Sequence, residues 1–218
     1  MSDKNVLTPV VFVVEDDDSV RTAVIRMLRL SGMDARGYAS AGEFLFRERE
    51  DVPSCIVLDI ALPGISGLEL QSALADAPAS PAIVFLTGQA DVDKAVRAMK
   101  AGAVDLLCKP VRREVLVNAV QRALGRNATE RAHRERMKSL QTRYERLTPR
   151  EQEVFALLAG GALNKQVASD LNVSVRTIKL HRAELKRKME VTSIADLVRI
   201  ADELSVPTKR GAVASPRT

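Results

Sequence analysis

Between residues 6 and 125, short apolar runs alternate with segments whose apolar residues recur at helical spacing. Three of the runs are continuously apolar and rich in β-branched residues, which is typical of strands covered on both faces. The predicted strands are Val10–Val14, Ala35–Tyr38, Cys55–Leu58, Ala82–Leu86 and Val104–Cys108. The helical segments located between and after them are Ser19–Ser31, Gly67–Ala77, Asp91–Ala101 and Val111–Leu124. Five strands alternating with helices predict an α/β fold, a doubly wound parallel sheet, for which we take the strand order 2-1-3-4-5.

The pattern changes after Gly125. Residues 126–146 carry seven basic and three acidic side chains, and their apolar residues stand at 3-4-3 spacing (Met137, Leu140, Tyr144 and, just beyond, Leu147). Two interpretations stay open: a helical linker with a narrow apolar seam, as in a short coiled coil, or a charged and partly frayed linker.

The remaining sequence predicts an all-α domain of four helices over residues 147–205. The helices are Pro149–Ala159, Asn164–Leu171, Val175–Met189 and Ser193–Leu204. Thr148 is the expected cap of the first, because Pro149 and Glu151 follow it at the positions of a capping box. Residues 206–218 have the composition of a disordered tail.

Composition excludes several classes of protein. No uncharged apolar run is long enough to span a bilayer, and no apolar stretch typical of a secretory signal follows the N-terminus. Two cysteines and two histidines argue against a disulfide scaffold and a His/Cys metal site, so Cys55 and Cys108 should be free thiols. We therefore expect a cytoplasmic protein with no membrane partner.

Reactive side chains stand where four of the predicted strands end. Glu15-Asp16-Asp17 follows the first strand, Asp59 the third, Thr87 the fourth and Lys109 the fifth. In an open parallel sheet these ends meet at one edge, where ligands bind. Clustered carboxylates remain ionised together beside a cation, and hard oxygen donors suit Mg²⁺. Such a cation would prepare one carboxylate for phosphoryl transfer. The alternative is that these acids only cap the next helix, as Asp17 or Asp18 could before Ser19.

These residues resemble the receiver domain of bacterial two-component response regulators over roughly residues 8–125. The motif residues are Glu15-Asp16, the run Asp59 to Gly67 (DIALPGISG), Thr87 and Lys109-Pro110. The resemblance implies that a sensor histidine kinase phosphorylates Asp59. It also implies that Mg²⁺ is held by Asp16, Asp59 and the backbone carbonyl of Ala61, with Glu15 acting through water. Thr87 and Lys109 would pair with the phosphoryl group.

One departure from the family pattern motivates an alternative, and a third hypothesis comes from the reactive carboxylate itself. Leu106 replaces the aromatic residue usual three positions before the lysine, so an atypical or phosphorylation-independent receiver is the second hypothesis. A third is an aspartyl-phosphate phosphatase, but that class places a second acid two residues after its nucleophile, and position 61 is Ala. We therefore predict that the protein is not an enzyme beyond its own phosphotransfer and dephosphorylation.

The helix predicted at residues 175–189 is strongly basic. Between 175 and 188 it has six basic residues and one acidic residue. Ile178, Leu185 and Met189 recur at helical spacing and should face the core. Asn172-Val173-Ser174 has the length of a helix-turn-helix turn with Ser174 as N-cap, and such a helix fits the DNA major groove.

Residues 147–205 also resemble the LuxR-type helix-turn-helix, in the stretches LTPRE (147–151), NKQVA (164–168) and TIKLH (177–181). Receiver plus this module is similar to the NarL/FixJ response regulators, closest to the FixJ side. The resemblance implies that Lys179, Leu180 and Ala183 face base edges and that Lys165, Thr177 and Arg182 reach phosphates. Arg176 also projects outward, and Ser193–Leu204 would form a DNA-bound dimer contact.

The predicted organisation is therefore a receiver (1–125), a helical linker (126–146), a DNA-binding domain (147–205) and a tail (206–218). The implied function is a phosphorylation-dependent transcriptional regulator. It would dimerise through the receiver at about Asp91–Leu106, bind promoter DNA and contact RNA polymerase. The charge distribution agrees with this division, since residues 1–125 have a net charge of −3 and residues 126–218 one of +8.

Overall fold

The computed structural model describes residues 8–48, 50–75, 77, 80–88 and 92–208. The chain forms two compact units that divide after Ala132. Asp91, the predicted start of one helix, and residues 209–218 of the predicted tail lie outside the described residues.

The first unit contains the predicted parallel sheet. Its strand order is β2-β1-β3-β4-β5, and every neighbouring pair is parallel, so the predicted fold class is confirmed. The strands are β1 (Val10–Val14), β2 (Asp34–Tyr38), β3 (Ser54–Asp59), β4 (Ala82–Thr87) and β5 (Asp105–Cys108). The free thiols expected at Cys55 and Cys108 are confirmed.

Helices cover both faces of this sheet. They are α1 (Asp18–Leu30), α2 (Ala41–Phe46), α3 (Gly67–Ala75), α4 (Val92–Lys100) and α5 (Arg113–Glu145). Successive strand residues point to opposite faces, so Phe12 of β1 packs in a cluster with α2, α3 and α4. Its neighbour Val13 packs in a second cluster with α1 and α5. β1, β3 and β4 are therefore buried on both faces, as their apolar runs predicted.

Helix α2 was not located by the sequence patterns, because its six residues are too few for a periodic signal. A local signal does exist. Ser40 caps the helix by accepting the Glu43 N–H at 3.1 Å, and Glu43 Oε2 accepts the Ala39 N–H at 2.7 Å. The serine–glutamate spacing of a capping box therefore marks this start.

Helix α5 is one continuous helix across the predicted boundary at residue 125 and through the predicted linker. A lone exposed glycine such as Gly125 costs only about 1 kcal/mol in a helix and does not end it. Beyond that glycine, Asn127 is buried in the first unit: its Oδ1 accepts the Ser54 N–H at 2.9 Å and its Nδ2 donates to the Ser80 carbonyl at 2.8 Å.

The second unit contains α6 (Pro149–Ala159), α7 (Asn164–Asp170), α8 (Val175–Lys188) and α9 (Ile194–Glu203). The end of α5 contributes Leu140 to their apolar core, and the Tyr144 ring packs edge-on against Phe155 with the centroids 5.3 Å apart. The predicted linker is therefore helical, as the first interpretation had it, but Leu140 and Tyr144 of its apolar seam pack inside this unit.

The predicted helix caps are present in the second unit. Thr148 and Glu151 form the capping box of α6, and Ser174 caps α8 by accepting the Thr177 N–H at 3.0 Å. Gly161 has a φ of +86°, which glycine adopts without strain, where the chain leaves α6. Among the described residues, none of the helices combines the length and the apolar character that crossing a membrane requires.

Candidate functional site

The carboxyl edge of the sheet brings three acidic side chains together. Glu15 follows β1 and Asp59 ends β3, and the pairing of Val14 with Leu58 places them side by side. Carboxylate oxygens of Glu15, Asp16 and Asp59 lie within 4.8 Å of one another. Glu15 and Asp59 are buried, whereas Asp16 is exposed. Of the three carboxylates, that of Asp16 is therefore the one open to solvent.

Lys109 reaches the same cluster from the end of β5. Its Nζ lies 2.6 Å from Glu15 Oε2 and 2.8 Å from Asp59 Oδ2. Its backbone N–H donates to the Thr87 carbonyl at 2.7 Å, so the ends of β4 and β5 are joined beside the cluster. The Lys109–Pro110 peptide bond is cis. Thr87 itself is buried at the end of β4.

Burial and mutual charge set the ionisation of this group. Burial raises the pKa of Glu15, and the neighbouring Asp59 charge raises it further against the opposing effect of Lys109. Burial alone would lower the pKa of Lys109, but its bonds to Asp59 and Glu15 outweigh burial and hold the pKa above its usual value. Lys109 therefore remains a cation between two carboxylates.

The donor set fits a divalent cation. The three carboxylates of the cluster face one ammonium group, so negative charge remains in excess, and carboxylate oxygens are the ligands that Mg²⁺ prefers. Asp59 Oδ1 also accepts the Ala61 N–H at 3.1 Å, which keeps the Ala61 peptide next to the Asp59 carboxylate. Asp17 does not belong to the cluster, because its Oδ1 accepts the Ser19 and Val20 N–H groups as the N-cap of α1.

The loop behind Asp59 is closely packed. Gly67 N–H donates to the Ile60 carbonyl at 3.1 Å, and a Cβ on Gly67 would lie 2.2 Å from the Asp59 carbonyl oxygen. Only glycine fits this contact, since the clash would be with the backbone of Asp59. The sequence motif already included Gly67, but only the structure shows why a glycine is required there.

Helix α8 carries the candidate nucleic-acid surface. Its inward residues Ile178, Leu185 and Met189 are fully buried, as predicted. Exposed residues form the opposite side: Arg176, Lys179, Leu180 and Ala183. Lys165 is exposed on the preceding helix α7. These five residues are exposed to solvent.

Two other predicted DNA contacts are engaged within the helix-turn-helix. The Thr177 hydroxyl lies 2.8 Å from Ser174 Oγ in the cap of α8, and Arg182 donates to Asn164 Oδ1 at 2.8 Å. Thr177 and Arg182 are half-buried as a result. Their contact with a phosphate remains a prediction.

Two polar contacts between helices of the second unit were not predicted from the sequence. The Arg150 guanidinium donates to the Leu171 carbonyl at the end of α7. Lys188 Nζ lies 2.6 Å from Glu151 Oε2 and joins the end of α8 to the start of α6. The capping box already marked Glu151, but its second partner is 37 residues away and has no local signal.

Comparison with known proteins agrees with this geometry. Residues 11–121 match the response regulator receiver domain, and residues 145–201 match the bacterial regulatory proteins of the luxR family. The chain belongs to the response regulator family. Nodulation protein W of Bradyrhizobium diazoefficiens is 42% identical over 197 residues, covering 90% of this chain and 87% of that protein. FixJ of Azorhizobium caulinodans is 39% identical over 191 residues, covering 88% of this chain and 90% of that protein.

A solved structure is similar to this chain over most of its length. The response regulator StyR has 40% sequence identity and a TM-score of 0.80, covering 90% of this chain and 99% of that chain. The predicted resemblance to NarL/FixJ regulators is therefore confirmed. The protein is a two-component transcriptional regulator rather than a typical enzyme, with a kinase and DNA as partners. Receiver domains generally bind Mg²⁺ through an acidic pocket such as this cluster.

Proposed function

We propose that the protein is a phosphorylation-switched transcription factor whose phosphoacceptor is Asp59. The observation that carries this proposal is the buried Asp59 carboxylate, which faces Lys109 and the acids Glu15 and Asp16 at one sheet edge. A carboxylate oxygen of Asp59 would attack the phosphorus of a phosphohistidine on the kinase. The products are an acyl phosphate on Asp59 and the free imidazole of the kinase.

Charge neutralisation is the central requirement of this reaction, because the phosphoryl group approaches an acidic cluster. A Mg²⁺ ion held by Glu15, Asp16, Asp59 and the Ala61 carbonyl would supply that neutralisation. Lys109 would exchange its bond with Asp59 for one with a phosphoryl oxygen. Thr87, at the end of the neighbouring strand, would hydrogen-bond another phosphoryl oxygen.

The output would be DNA binding by α8 as the protein dimerises. Lys179, Leu180 and Ala183 would face base edges in the major groove, and basic residues at its sides would contact phosphates. Support for a receiver dimer comes from α4, where Val92, Val96 and Met99 are exposed apolar residues one helical turn apart. We place this activity in the cytoplasm, with RNA polymerase as a further partner on the promoter.

A second candidate function is supported by Leu106. This residue is half-buried against the apolar cluster beneath α2, α3 and α4. An aliphatic side chain there offers no ring for the aromatic switch usual in the family. The chain would then remain a DNA-binding regulator, and its receiver would act constitutively or switch in an atypical way.

The deciding experiment compares the wild-type chain with Asp59→Asn, with and without beryllofluoride as the phosphoryl analogue. Dimerisation is measured by sedimentation, and DNA binding by fluorescence anisotropy on a duplex that the wild type selects from a random pool. We expect beryllofluoride to strengthen dimerisation and DNA binding in the wild type alone. If beryllofluoride strengthens binding and dimerisation equally in both chains, Asp59 is not the phosphoacceptor. If the wild type does not respond to beryllofluoride, the second candidate is favoured.

A further inference from the structure

One basic residue of α8 differs from the others in its surroundings. The Lys188 ammonium lies 2.6 Å from Glu151 Oε2, and the Glu151 side chain is only 7% exposed. The same oxygen of Glu151 accepts the Thr148 N–H at 2.7 Å and the Thr148 hydroxyl at 3.0 Å. Burial alone would raise the pKa of Glu151, but the bonds from Lys188 and Thr148 outweigh it and lower that pKa. The pair is therefore ionic at neutral pH.

The neighbouring basic residue provides a contrast. Arg187 pairs with Glu184 within the same helix, and both side chains are largely exposed (69% and 49%). An exposed pair of this kind contributes little to stability. Lys188 instead joins two helices, since Glu151 lies in the first turn of α6. Its charge is used inside the domain.

We infer that Lys188 is a positioning residue, which holds the end of α8 against the start of α6 and thereby sets how α8 presents Arg176 and Lys179. In this view Lys188 contributes to DNA recognition without contacting a phosphate. The inference rests on the proposed DNA binding by α8.

The physical reason is the asymmetry of buried ion pairs. Removing one partner leaves the other charge buried and unpaired, which costs more than replacing the pair with neutral groups. A shifted α8 would lose base contacts, which need defined geometry. Contacts with the uniform phosphate backbone tolerate such a shift. Loss of Lys188 should therefore weaken sequence-specific binding far more than non-specific binding.

The test uses full-length Lys188→Gln, the control Arg187→Gln and the double variant Glu151→Gln/Lys188→Met. Gln is able to keep the Thr148 cap bond, so the double variant removes the charges without leaving one unpaired. Binding is measured on a duplex that the wild type selects from a random pool and on a random duplex of equal length, over a salt series. Thermal unfolding shows that each variant is folded at the assay temperature.

We expect Lys188→Gln to weaken binding to the selected duplex at least about tenfold. Arg187→Gln should change it by less than roughly threefold, and the double variant should recover to within roughly threefold of the wild type. The slope of log affinity against log salt should be unchanged for both Lys188 variants, because Lys188 neutralises no phosphate in the wild type.

Two results would overturn the inference: a salt slope that falls by about 0.9 in the double variant, the change expected when one phosphate is no longer neutralised, or Lys188→Gln binding like the Arg187→Gln control. If Lys188→Gln is unfolded at the assay temperature, the salt slope of the double variant decides the question. If the wild type selects no sequence, the proposed DNA binding itself is refuted. If the wild type selects a duplex and the Lys188 variants bind it with unchanged affinity, only the positioning role is refuted.

Discussion

At the residue scale, the position of Asp59 depends on a neighbour that has no side chain. Gly67 leaves room for the Asp59 carbonyl, which would lie 2.2 Å from any Cβ at that position. The contact is with backbone, so relief requires movement of the end of β3. The geometry of the acidic cluster is therefore sensitive to one methyl group placed behind it.

Gly67→Ala should destabilise the first unit by about 1–3 kcal/mol, as overpacking a tight site does. Hydrogen exchange of the β3 amides measures this effect locally. Gly42→Ala is the matched control, because its Cβ would meet only Ser40 Oγ at 3.8 Å, an ordinary contact. Unchanged protection of β3 in Gly67→Ala would contradict the prediction.

Glu151 should make the stability of the second unit depend on pH. Its folded pKa is lowered below the ordinary value of 4.5, so its stabilising effect is present above that pH and is lost as pH falls through the folded pKa. The free energy of unfolding should therefore be higher in the wild type than in Glu151→Gln near pH 7, and this difference should shrink as the pH falls below 4.5. Thermal unfolding from neutral to acid pH checks this, and a difference that stays constant would refute it.

At the element scale, α5 belongs to both units. Its first half packs on the sheet, where Asn127 satisfies Ser54 and Ser80, and its last turns place Leu140 in the core of the second unit. The amino-acid composition of α5 does not change at residue 132, where the helix passes from the first unit to the second. Residue 125 was the natural boundary to predict from sequence, yet buried contacts with the sheet continue past it.

Asn127→Ala should lower the free energy of unfolding of the first unit by about 1–3 kcal/mol, because the buried Ser54 N–H loses its acceptor. Thr129→Ala is the control on the same helix, since Thr129 is exposed and its hydroxyl bonds only to the Gly125 carbonyl. Urea unfolding measures the stability of each variant, and hydrogen exchange of the β3 amides shows where the stability is lost. Equal stability of the two variants would show that α5 does not anchor there.

Gly125→Ala should stabilise α5 by roughly 0.5–1 kcal/mol, the difference between the two residues inside a helix. A Cβ at this exposed position meets no atom within 4 Å, so no clash offsets the gain. Hydrogen exchange of the amides on either side of residue 125 measures it. A loss of protection would mean that the helix needs a flexible glycine there.

At the scale of the whole molecule, the opposite net charges of the two halves predict which segments contribute to non-specific DNA affinity. Residues 126–146 carry a net charge of +4, and several of these basic residues are exposed along α5. Lysine and arginine near DNA release counterions, which makes affinity depend on salt. We therefore expect this segment to add non-specific affinity to that of α8.

Arg134→Gln/Lys138→Gln in the full-length chain should weaken binding to a random duplex and reduce its salt slope by up to about 0.9 for each phosphate that is no longer neutralised. The control Arg26→Gln/Lys100→Gln removes the same charge from exposed positions of the first unit. If both pairs of substitutions change the slope equally, the effect is one of net charge, and the segment makes no specific contribution.

The sequence alone was enough to predict the sheet, its order and the edge where the site lies. Continuous β-branched runs predict buried strands, and parallel topology then brings the strand ends at Glu15, Asp59 and Lys109 together. It also predicted the inward face of α8, because core contacts follow helical periodicity. All of these features depend on local patterns.

Only the tertiary structure decided the contacts between residues far apart in the chain. It tied Lys109 to two carboxylates, buried Asn127 against β3 and paired Lys188 with Glu151. A basic residue on a helix has the same local sequence signal whether it faces DNA, solvent or a buried acid. Packing brings distant elements together, and the partner so supplied determines which of these roles the residue can take.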